Sequence, residues 1–111
     1  MGSPVGAGHI RNLNATVINA TNGVSETTLI VATNTSGVLT FIQVFDAVAA
    51  DVTLGTTRPV LSAPVANNTM ETLYFGPIGW YIGTRLSAAA TTTVEGSTGA
   101  ADGVYLQVFV N

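Results

Sequence analysis

Short runs of β-branched residues, closed roughly every ten positions by glycine, asparagine or proline, constrain this chain more than any other feature. Val, Ile and Thr are stiff about χ1 and suit a pleated surface, and the punctuation leaves too little length for helices. Glu26–Thr33 (ETTLIVAT) reads as a strand closed by Asn34-Thr35-Ser36-Gly37. Val38–Asp46 (VLTFIQVFD) is apolar at Val38, Leu39, Phe41, Ile42, Val44 and Phe45, on both faces, which predicts a central position in a sheet. Val104–Val110 (VYLQVFV) reads as the closing strand, after the loop Gly96–Gly103.

The weaker runs fill in between. Asn14–Asn19 is a candidate strand ended by Thr21-Asn22-Gly23. Pro59–Val65 carries Pro59 and Pro64, which cannot donate to a ladder and so suit an edge. With the turn Asn67-Asn68 and the run Thr69–Phe75 it predicts a hairpin. Trp80–Ala89 reads as one strand with Gly83 as a bulge, and Thr91–Glu95 as a short strand. Ala47–Thr57 is small and polar and reads as a connection. Helical periodicity fails outside Ala47–Ala50, and there is no internal repeat.

About seven or eight short strands predict an all-β fold, a small antiparallel β-sandwich or jelly roll. Residues 1–13, with Gly2, Pro4, Gly6 and Gly8, read as an extended N-terminal arm, leaving 14–111 as the sandwich domain. With 111 residues the chain is one domain's worth.

Charge content then narrows the function. Only 8% of residues are charged, against a usual share of about 25%. The basic residues are Arg11, Arg58 and Arg85, with no lysine, and formal net charge is −3. A protein that neutralises phosphates needs clustered Lys and Arg, so neither nucleic acid nor an anionic membrane surface is an expected partner. No apolar stretch is long enough to span a bilayer as a helix. The first 14 residues lack the basic and apolar regions of a secretory signal. Thr, Ser, Asn and Gly supply the polar surface instead, and a surface without mixed charge resists association poorly. Part of it is therefore expected to be covered by neighbours.

Chemistry-bearing residues are sparse. There is no cysteine, and the single histidine, His9, lies in the arm. A nucleophile, base and orienter within mutual reach are not on offer, so no enzymatic activity is expected. The carboxylates Glu26, Asp46, Asp51, Glu71, Glu95 and Asp102 are dispersed, and no cofactor or metal is expected. The candidate interface residues are Val5 and Ile10 as apolar anchors of the arm, His9 and Arg11 as its polar contacts, and Trp80 and Tyr81 after the loop Gly76-Pro77-Ile78-Gly79. Aromatics at such a junction either cap the core, anchor a partner, or, with Tyr74, stack on sugars.

The segment FIQVFDAVAADVTLGTTRPVLSAPVANNTMETLYF (Phe41–Phe75), then IGTRLSAAATTT (Ile82–Thr93) and the closing VYLQVFV, resembles small virion proteins of tailed phages. The shared features are Pro59-Val60-Leu61, Asn67-Asn68, Gly83-Thr84-Arg85-Leu86-Ser87 and Thr91, within residues 26–111. The resemblance implies a β-sandwich subunit of the capsid decoration (cement) type, a homotrimer on the capsid exterior bridging copies of the major capsid protein. Such a protein is made in the bacterial host cytoplasm. A place at the head–tail joint, tail or fibre base is the alternative within the virion, and a carbohydrate-binding module the alternative outside it.

Overall fold

A computed structural model describes residues 6–7 (backbone only), 10–99 and 103–110. The strands are β1 Gly6–Ala7, β2 Arg11–Leu13, β3 Ile18–Asn19, β4 Ser25–Asn34, β5 Thr40–Asp46, β6 Leu61–Val65, β7 Thr69–Tyr74, β8 Trp80–Ile82, β9 Leu86–Thr91 and β10 Val104–Val110. A single turn of 3-10 helix, Ala49–Asp51, interrupts the connection from β5 to β6. Every pairing is antiparallel.

Two sheets form. In the first, β10 lies between β4 and the edge position shared by β1 and β2, while β7 and β8 share the other side of β4. In the second the order is β3-β9-β5-β6. Counting each shared edge once, each sheet has four positions. From β2 onward the chain changes sheet at every connection except β5 to β6 and the turn between β7 and β8. That alternation is the strand order of a jelly roll.

Alternation along the strands builds the core. Ile30 and Ala32 of β4, Leu106 and Val108 of β10, and Leu13 of β2 face Ile42 and Val44 of β5, Ala88 and Ala90 of β9, and Val65 of β6. The intervening residues of β5 and β9 are also buried: Gln43, Phe45, Ser87, Ala89 and Thr91. They lie on the outer face of the second sheet, where the connections 47–60 and 92–99 fold over them. Gln43 Nε2 donates to Thr91 Oγ1 at 2.7 Å and to the Gly96 carbonyl at 3.0 Å. Ser62 Oγ donates to the Val94 carbonyl at 2.6 Å. The ion pair Arg58–Glu95 joins the two connections. Among the described residues the second sheet is thus covered over most of both faces, Pro64 excepted, and the first on one.

Several expectations change. The hairpin over 59–65 and 69–75 is absent: β6 pairs with β5 in one sheet and β7 with β4 in the other. Asn67-Asn68 instead turns the corner between sheets, with Asn68 at φ 61° and its N–H donating to the Asn34 carbonyl at 2.7 Å. The run Trp80–Ala89 is two strands, and Gly83 begins the crossing between sheets rather than a bulge. Asp46 holds that crossing, its carboxylate accepting the N–H groups of Gly83, Thr84 and Arg85 at 3.0, 2.8 and 3.3 Å. The bulge is at Thr28, skipped where Leu29 pairs with Phe109 and Thr27 with Val110.

Asn14–Asn19 keeps only Ile18–Asn19 as strand, because the Asn14 side chain accepts the Thr16 N–H at 2.7 Å and turns the chain there. Thr92–Glu95 is not a strand. Val38 and Leu39 lie outside β5 and are exposed. Where the arm over 1–13 is described, it belongs to the sheet: β1 and β2 pair with β10, and Leu13 is in the core.

Candidate interaction surface

Among the described residues no connection covers the outer face of the first sheet. Register fixes which side chains share it. Leu13 pairs with Val104 and points inward, so Asn12, paired with Tyr105, points outward. Across the sheet the outward rows are Asn12, Tyr105, Thr33 and Met70, then Gln107, Val31 and Thr72, then Phe109, Leu29 and Tyr74. Beyond the bulge, Glu26 and Tyr81 form a further outward pair.

The face mixes aromatic and aliphatic side chains with Asn12, Thr33, Thr72 and Gln107, and is almost free of charge. Tyr74 is 67% exposed, Tyr81 64%, Met70 63%, Ile10 67% and Tyr105 39%. Glu26 is the sole charged side chain on these rows. Arg11 pairs with Leu106 and Glu71 with Ala32, both inward positions, so each lies at a margin on the other side of its strand. Toward the β2–β10 side the face carries a hollow of about 190 Å³ lined by Ile10, Val31, Thr33, Tyr105, Leu106 and Gln107. Toward β7 and β8 it carries the exposed rings of Tyr74 and Tyr81.

The sequence-derived residues divide accordingly. Ile10 and Tyr81 lie on this face. Arg11 points away from it, since successive residues of a strand face opposite ways. For the same reason Trp80 and Tyr81 cannot share a surface. Trp80 packs its ring against Phe75, centroids 5.2 Å apart and tilted by 44°, and a sugar platform of Trp80, Tyr81 and Tyr74 is not formed. Trp80 lines instead a cleft of about 470 Å³ at one end of the sandwich, with Val60, Leu61, Phe75 and Gly79. Val5 and His9 lie outside the described residues. Sequence reasoning missed Met70 and Tyr105, although the alternation in TMETLY and VYLQVFV places both outward.

The remaining polar chemistry is structural. Burial pushes the Asp46 carboxyl upward, but the backbone N–H groups of Gly83, Thr84 and Arg85 outweigh it and hold the group below its ordinary value. Among the described residues no three His, Asp or Glu side chains come together as a metal site would need, and no helix is long and apolar enough to cross a membrane. No protein-family model, no characterised protein sequence and no solved structure matches the chain.

Proposed function

We propose that this chain is a non-enzymatic structural subunit of a tailed-phage virion, of the capsid decoration type, acting by apposition of a broad uncharged surface to its neighbours in the head. The observation that carries the reading is the open face of the first sheet, rich in exposed tyrosine and nearly free of charge, on a jelly roll whose second sheet is covered over most of both sides. A fold does not by itself give a function. Here the site consists of surface, with tyrosines and a methionine of the kind enriched at interfaces. The strand-and-turn pattern over Phe41–Phe75 and Ile82–Thr93 adds the likeness to small virion proteins. The major capsid protein is the proposed partner of the assembled subunit, on the capsid exterior. Shallow contacts repeated by symmetry can clamp a shell without any one of them being strong.

The test is particle association. Virions purified on a density gradient from the host that carries the gene are probed with an antibody raised against the chain, and located by immunogold microscopy. Label distributed over the head supports decoration, and label at one vertex or along the tail moves the subunit to the head–tail joint, tail or fibre base. A protein found only in the unassembled fraction would refute a virion role.

A further inference from the structure

We infer that the open face of the first sheet is occupied by the same face of a second copy, in a twofold, sheet-on-sheet dimer instead of the homotrimer that the resemblance implies. The inference rests on the proposed reading of that face as an assembly surface, and adds the identity of the occupant. Three properties of the face favour a copy of itself.

The first is charge. A face whose outward rows carry only Glu26 brings almost no like-charge repulsion when it meets itself, and equally offers a charged partner little to recognise. The second is area. Taking about 200 Å² for a wholly exposed side chain of this size, the exposed fractions of Ile10, Met70, Tyr74, Tyr81 and Tyr105 amount to about 600 Å², and a stable interface needs about 800 Å² from each partner. The exposed Asn12, Glu26 and Thr72 and the half-buried Leu29, Val31, Thr33, Gln107 and Phe109 on the same rows add to that area.

The third is shape. The rings of Tyr74 and Tyr81 stand at the β7–β8 side, and the hollow lined by Ile10, Val31, Thr33 and Tyr105 lies toward the β2–β10 side. An isologous contact requires that wherever one residue meets a second, the second meets the first. A twofold axis lying between the apposed faces, midway between knob and hollow, sets the tyrosines of each copy over the hollow of the other. An apolar cavity of about 150 Å³ accepts a benzene-sized ring, so a hollow of about 190 Å³ accommodates one tyrosine. Face-to-face sheets at about 10 Å spacing interdigitate their side chains in this way.

The experiment is light scattering on the full chain at tens of micromolar, with thermal melting by circular dichroism as the control for folding. The expected mass is twice 11.3 kDa. Tyr74→Arg, and separately Thr33→Asp, are expected to give monomers that still melt cooperatively. The double variant returns toward the dimer, because the introduced charges of opposite sign face each other across the axis. Should Tyr74→Arg fail to fold, Tyr81→Arg at the same β7–β8 side of the face takes its place. A monomer or a trimer from the unsubstituted chain, or a dimer untouched by both single variants, overturns the inference. A monomeric chain that decorates particles and loses them on Tyr74→Arg removes the second copy as occupant but leaves the proposed function standing. A dimer absent from particles does the reverse.

Discussion

Asn34 is buried, yet its side chain is bonded on every side. Its Nδ2 donates to the carbonyls of Val38 at 2.7 Å and Val65 at 2.8 Å, and its Oδ1 accepts the Ser36 N–H at 2.9 Å. One amide thereby ties the end of β4, the loop after it and the end of β6 in the opposite sheet. Asn34→Ala leaves those carbonyls without their partner and is expected to cost about 3 kcal/mol, read as a lower denaturant midpoint with unchanged m. Asp46 does comparable work in the open. Its folded pKa is lowered, so its contribution is present above the ordinary value of 3.8 and is lost as pH falls through the folded value. Asp46→Ala is expected to cost about 1 kcal/mol at neutral pH, less than is usual for bonds to a charged group because the carboxylate remains solvated. It should also flatten the fall of the melting temperature below about pH 4.

At the scale of elements, β4 is the strand on which the first sheet depends, flanked by β10 on one side and by β7 and β8 on the other. Its amides at Leu29–Val31 are expected to exchange with deuterium only through global unfolding, while those of the edge strand β6 exchange sooner. β4, β5 and β10 were legible in the sequence because each is long and strongly patterned. The hairpin was misread because Asn67-Asn68 looks the same whether the chain turns back within a sheet or crosses between sheets. The Trp80–Ala89 run looked continuous because what divides it is Asp46, 37 positions away from Gly83. The open face was half legible. Met70, Thr72 and Tyr74 alternate outward, but so do Phe41, Gln43 and Phe45 on β5. Only the folded connections 47–60 and 92–99 decide which of the two faces is covered. The turn into β8 holds a further constraint. Gly79 has φ 94°, and a Cβ there would lie 3.0 Å from the Thr27 carbonyl oxygen. Gly79→Ala should cost about 2 kcal/mol or more, visible as a lowered melting temperature.

For the whole molecule, the two sheets have different duties. The second is sealed, so truncating Phe45 beneath its covering connections should cost about 3 kcal/mol. The first presents its outer face, so Tyr74→Ala should shift stability by no more than about 0.5 kcal/mol while weakening assembly. Chemical denaturation beside light scattering separates the two effects. The position of β10 has a consequence for synthesis. It pairs with β4 on one side and with β1 and β2 on the other, yet of these strands it is the last to be synthesised. Until it emerges, the uncharged stretch Thr28–Thr33 is a bare strand edge of the kind that recruits other chains. From the synthesis of β4 to that of β10 the nascent chain therefore carries an aggregation hazard, which the pairing of the two strands removes.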